Sequence, residues 1–171
     1  AKNSRMYSEA LELYKRAEIM DNSNEYLKHK IIMLTYKSEL PNKESALKKA
    51  AILLEKSFNL NTSVNPRILE LGGVIFKKMA EIEYEKNPKI LSVISQRFIL
   101  KSLRAYEKSY SISKNYFVGG SYANVLLLAA LLEKNTKMKF YHFINSLSIW
   151  QTIYDQTSGI QNQPGNSLKS N

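Results

Sequence analysis

His29 and His142 are the chain's only imidazoles. A histidine that binds a metal or relays a proton needs a second donor at a helical spacing, such as H-x-x-x-H or H-x-x-E. Neither lies in either of these spacings, so each reads as a surface or packing residue. The aspartates, Asp21 and Asp155, stand at the ends of helical segments, where capping and turn formation account for them. Glu81, Glu83 and Glu85 alternate by two, which on a helix spreads them around the axis and pairs no two carboxylates for acid–base work. Gly72–Gly73 follows helix-type sequence and lacks the remaining residues of a phosphate-cradling loop. With no Cys, thiol nucleophiles, disulfides and Cys-based metal sites are excluded. The expectation is therefore no enzyme: no catalytic residue, no metal site, no cofactor, and no binding or hydrolysis of nucleotides.

What remains is a chain built to bury helices. Its 171 residues amount to about one domain, and 44% apolar residues can fill a sizeable core. The longest apolar run, VLLLAALL at 125–132, is too short to span a bilayer, so no membrane insertion is expected. The opening AKNSRMYSEALEL has neither an apolar signal-type run nor an initiating Met, and reads as a domain cut from a longer protein. The lack of Cys fits a reducing compartment, so a cytoplasmic location is expected. The net charge of +10 could attract nucleic acid, anionic lipid or an acidic peptide. The lysines are dispersed in pairs (Lys48/Lys49, Lys77/Lys78, Lys137/Lys139), however, and only clustering on one face would make an electrostatic footprint.

Three segments share one pattern: a small residue, a large one four positions on, and a small one three further. They are Ala10–Tyr14–Ala17, Ala50–Leu54–Ser57 and Ser102–Tyr106–Ser109. Steps of four and three lie on one helical stripe, where small residues let another helix come close and the large one plugs the gap. Each segment ends in a polar turn. The periodicity predicts an all-α fold of seven helices at about 4–20, 24–38, 43–59, 66–85, 89–112, 116–133 and 137–155. Ser4 and Asn42 are expected N-caps, Pro66 a first-turn proline, and Pro88 the stop of the fourth helix. The helical domain is expected over 1–155, with QTSGIQNQPGNSLKSN at 156–171 as a flexible tail or linker. The nearly all-apolar sixth helix should be covered on every side.

After the second turn comes Ile68-x2-Leu71-Gly72-x2-Ile75, and after the third, at the corresponding distance, Ala123-Asn124-x2-Leu127. This resembles the tetratricopeptide repeat, whose first helix carries W-x2-L-G-x2-Y and whose second carries A-x3-F-x2-A, with a period of about 34 residues. The spacing between Ala50 and Ser102 exceeds one period, which places an insertion around AEIEYEKNPKILSV. Residues 40–135 resemble more narrowly the TRAFs-binding, tetratricopeptide-type region in the regulatory part of apoptosis signal-regulating kinases and its bacterial relatives. Gly73, Phe76 and Lys77 fit one half of that pattern, and Tyr106, Tyr116, Gly119 and Asn124 the other, with a slip of one or two positions around GGSYAN. The resemblance implies a right-handed superhelix of three to four helical hairpins. It also implies a regulatory scaffold of a signalling or defence protein that binds a partner and catalyses nothing.

In such arrays the first helices line a concave groove. The resemblance places the groove residues at Tyr26, His29, Met33 and Tyr36, then at Leu69, Gly73 and Phe76 with Lys77 beside it, then at Ser121 and Val125. Aromatic rings next to Lys could hold an acidic or aromatic-containing peptide. The competing reading leaves Tyr26, Met33, Tyr36 and Phe76 as plain core. The alternative function is a nucleic-acid or anionic-ligand binding solenoid that uses the basic surplus.

Overall fold

The computed structural model describes residues 2–86 and 92–161. Among these residues there are seven α-helices and no strand: α1 Lys2–Met20, α2 Glu25–Ser38, α3 Lys43–Ser57, α4 Pro66–Lys86, α5 Val93–Ser113, α6 Tyr116–Leu132 and α7 Thr136–Gln161. The helices start where short polar side chains can satisfy the free N–H groups of a first turn. Asn24 Oδ1 accepts from the amides of Tyr26 and Leu27, at 3.0 and 3.2 Å. Asn42 does the same for Ser45 at 2.8 Å, and Asn115 for Phe117 at 2.9 Å. Ser92 caps α5 through the Ser95 amide at 3.0 Å. Pro66 opens α4, as a first-turn proline should.

Several boundaries differ from expectation, that of α5 among them, which begins at Val93 and not at 89. Helix α1 already begins at Lys2, so Ser4 lies inside it and is not its cap. Helix α7 continues to Gln161, through six residues read as tail, because QTSGIQ contains no proline and a single glycine does not by itself end a helix. Helix α4 ends at Lys86, while Pro88, expected to stop it, and residues 162–171 of the expected tail lie outside the described residues.

The chain divides into two compact units, one up to Lys114 and the other from Asn115 on. In the first, α1 packs on α2, α2 on α3, α3 on α4 and α4 on α5, and α2 also touches α4. Its core joins Ile32 of α2, Ala50, Ala51 and Leu54 of α3, and Ile68, Leu71, Ile75 and Phe76 of α4. A smaller cluster of Leu11, Ile31 and Leu34 attaches α1. One of the three small–large–small stripes points fully inward, Ser102, Tyr106 and Ser109 all being buried; in the second Ala50 and Leu54 are buried and Ser57 is half-buried.

The α4–α5 pair shows what the small residues do. Ser95, Ser102 and Ser109 recur every seven residues along α5, and each hydroxyl donates to a backbone carbonyl of α4: Ala80 at 3.1 Å, Gly73 at 2.8 Å and Pro66 at 2.9 Å. The acceptors recur every seven residues in the opposite direction, so the serines form three rungs of an antiparallel ladder. Between the rungs the Tyr106 ring lies against the Cα of Gly73, where an added Cβ would come within 2.7 Å of it. Part of the expected insertion is therefore helix: α4 and α5 are each 21 residues long, and the Ser95 rung ties their added turns together. At the same end Glu44 of α3 contacts both Lys48 and Lys86, which lower its carboxyl to about 2.

The second unit is the α6–α7 hairpin, with one such rung, Ser146 Oγ to Ala123 O at 2.9 Å. Val118, Ala123, Val125, Leu126, Ala129 and Ala130 of α6 are buried, but Leu127 is 37% and Leu131 69% exposed. The expectation that α6 is covered on every side is thus corrected: its apolar residues run all round the helix while the cover does not. No described helix is long and apolar enough to cross a membrane.

Candidate functional site

In the first unit a groove of about 600 Å³ runs between α2 and α4. From α2 it takes Tyr26, His29, Lys30, Met33 and Tyr36, which follow one helical stripe in steps of three and four. From α4 it takes Arg67, Glu70, Leu71 and Val74. Ile68, Leu71, Met33 and Val74 make an apolar floor. Tyr26 stands exposed at one end, with the Lys30 ammonium 5.2 Å from its ring centre and Tyr14 edge-on to it at 6.5 Å. A link from Asn65 Nδ2 to Glu25 Oε2, 3.3 Å long, joins the starts of the two helices below that end.

The charges are arranged unevenly. Lys30 and Arg67 form no ion pair among the described residues. Burial pushes the pKa of half-buried His29 down, and the neighbouring positive charges of Lys30 and Arg67 push the same way, so the imidazole is neutral at pH 7. Tyr36 is raised by burial, with Glu70 and then Tyr7 adding to the effect, so its hydroxyl stays protonated and able to donate. The groove thus offers, at one end, two cations without a carboxylate partner among the described residues, then an apolar floor, and a phenol beside a carboxylate further along. That suits an extended chain carrying a carboxylate next to large apolar side chains.

The His29 shift fixes the sign of a pH effect. A histidine whose folded pKa lies below its unfolded value of about 6.5 takes up protons more readily when unfolded. Its contribution is present above about pH 6.5 and is lost as the pH falls towards the lowered folded value. The melting temperature should drop between pH 7 and pH 5, and by less in His29→Asn; equal drops in the two proteins would show that His29 is not the titrating group.

Tyr26, His29, Met33 and Tyr36 all line this groove. The α4 positions are corrected. Phe76 is 2% exposed and belongs to the core, stacked on Phe98 at 6.3 Å, and Leu69 and Gly73 are buried with it. Lys77 is half-exposed and pairs with Glu81 of its own helix at 3.7 Å. Ser121 is half-buried on α6, in the second unit, and Val125 is buried there. The residues that α4 does contribute, Arg67, Glu70 and Val74, were missed. Their signal was present: Arg67 and Glu70 are the charged residues of an otherwise apolar PRILELGGVIF, three apart, and so mark its outer face.

On the other side of α4 a second concavity, of about 550 Å³, is lined by Glu55, Phe58, Leu60, Phe76, Lys101, Arg104 and Lys108. Lys101 bridges to Glu55 at 2.6 Å and sits 5.0 Å from the Phe76 ring centre, and Lys108 donates to the Asn61 carbonyl at 2.8 Å. Together with exposed Arg97 and Arg104 these make a basic stripe along α5 in steps of four and three. His142 lies on α7, edge-on to Tyr141 at 5.7 Å. Comparisons with protein families, with curated proteins and with solved structures each give no match.

Proposed function

We propose that the chain is a non-catalytic interaction scaffold of the tetratricopeptide type, whose α2–α4 groove binds an extended segment of another protein. The observation that carries this reading is the convergence of Tyr26, His29, Met33 and Tyr36 with Arg67 and Glu70 on one open groove with an apolar floor. The adjacency of α2 and α4, each followed by its packing partner, supports the repeat assignment. The likeness to the TRAFs-binding region then suggests a regulatory part of a larger cytoplasmic signalling or defence protein. Lys30 and Arg67 favour an acidic segment.

A random peptide library displayed on phage and selected against the wild-type chain tests this. Recovered peptides should carry Asp or Glu near an aromatic or large aliphatic residue. They should bind Tyr36→Ala and Arg67→Ala at least about tenfold more weakly, a loss of about 1.4 kcal/mol, while Arg67→Ala keeps the wild-type melting temperature to within a few degrees. Undiminished binding to both variants would move the site elsewhere.

The second reading, binding of nucleic acid or another polyanion, rests on the α5 stripe of Arg97, Lys101, Arg104 and Lys108. It predicts that affinity for generic RNA or DNA falls steeply with salt. The groove reading predicts little salt dependence beyond one or two charge contacts. Two of the four stripe cations are already engaged by Glu55 and Asn61, which favours the groove.

A further inference from the structure

Helix α7 has two faces. Ser146 is tied to α6 through the Ala123 carbonyl, and buried Ile153 shares its side of the helix. Along another line run Phe140, Phe143, Leu147, Trp150 and Tyr154, exposed by 63%, 41%, 50%, 42% and 65%. Their spacing alternates three and four over two heptads, the seam by which helices pack knobs into holes. From Phe140 to Tyr154 the helix contains no Lys, Arg, Asp or Glu. Shallow apolar concavities adjoin the line at both ends: one beside Leu127, Leu131, Phe140 and Phe143, the other beside Ile144, Leu147, Trp150 and Tyr154.

We infer that this face is covered by α7 of a second copy of the chain, in an antiparallel two-fold dimer centred on Leu147. The argument is the symmetry of the line. In a two-fold interface a residue placed before the axis meets the one placed equally far after it. Reading outward from Leu147, which faces itself, Phe140 meets Tyr154 of the partner copy seven residues from the axis, while Phe143, four before it, and Trp150, three after it, fall in adjacent layers, so the seam is aromatic on both sides of Leu147. A seam without charge sets no like charge against itself, which a self-pairing face must avoid. An open aromatic side chain presents about 150–250 Å². Five half-open side chains with their flanks therefore offer on the order of 600 Å² per copy, near the ~800 Å² of a standard interface. The inference is independent of the α2–α4 groove.

Light scattering on the wild-type chain at about 50 μM should give twice the 19.7 kDa of one copy. Leu147→Asp places two carboxylates face to face on the axis and should return the mass to that of one copy. Phe140→Lys and Tyr154→Glu alter exposed positions, and each alone should weaken dimerisation by at least about tenfold. Mixed one to one, they should recover the dimer as a heterodimer, because Lys at 140 then meets Glu at 154. Should Leu147→Asp lose helical circular dichroism, the mixing experiment decides alone. A wild-type chain of single mass would overturn the inference and leave the face to another protein or another segment. A dimer that survives Leu147→Asp, or a mixture that recovers nothing, would overturn it by placing the contact elsewhere or in another register.

Discussion

Ala123→Glu should unfold the α6–α7 hairpin, while Leu127→Asp, four residues on, should leave it folded. Ala123 has no exposed surface, and its own carbonyl accepts the Ser146 hydroxyl at 2.9 Å. A glutamate there has no room and no partner, and forces either a buried charge or separation of the two helices. The cost is on the order of 4 kcal/mol, at the severe end of single substitutions. Leu127 is 37% exposed, so its replacement forfeits part of one side chain's contacts and buries nothing charged, about 1 kcal/mol or less. Trp150 is the chain's single tryptophan and lies on α7, so its fluorescence in a denaturant titration follows this unit. A shifted midpoint for Leu127→Asp as large as that for Ala123→Glu would mean that Leu127 is covered.

Gly73→Ala should lower the melting temperature of the first unit by about 10 °C, although alanine is the better helix former by about 1 kcal/mol. The added methyl would lie 2.7 Å from the Tyr106 ring, which is 2% exposed and has little freedom to move. Overpacking of this kind costs about 1–3 kcal/mol, and parting the helices also strains the Ser102 rung at 2.8 Å. Gly120→Ala is the matched control. Its methyl would meet the tip of the half-exposed Trp150 ring at 3.3 Å, which can turn aside, so the helix-propensity gain should dominate. In Tyr106→Ala, itself destabilised, adding Gly73→Ala should cost nothing more, and that non-additivity identifies the ring as the obstacle.

The fold was legible because its rules are local. Asn at the turns, small residues in steps of four and three, and Pro66 fixed seven helices to within a few residues at most ends. The groove was half legible. On α2 the four positions taken from the resemblance, Tyr26, His29, Met33 and Tyr36, share one wall. On α4 the run ILELGGVIF is apolar on nearly every side, since α3 and α5 also pack there, and apolar periodicity cannot tell a groove floor from a core. Phe76 was therefore placed on the wrong face, and only the charges of Arg67 and Glu70 mark the right one. The Ser95, Ser102 and Ser109 ladder was visible as a spacing, but its partners are backbone carbonyls, which have no sequence signature. The cover on α6 was overestimated for a related reason. An apolar sequence records what a helix could bury, and not whether the neighbour is part of the same chain.

The central claim is that a partner lies along α2 and α4. The chain has five methionines, and their methyl resonances report on separate places. Met33 lines the groove, Met79 packs against the core, Met138 stands exposed on α7, and Met6 and Met20 are exposed on α1. Titration of the methionine-methyl-labelled chain with a peptide recovered from the phage selection should move the Met33 signal progressively to saturation, and leave those of Met79, Met138, Met6 and Met20 in place. A peptide that binds to saturation while Met33 stays fixed, or that moves Met138 instead, would contradict the account.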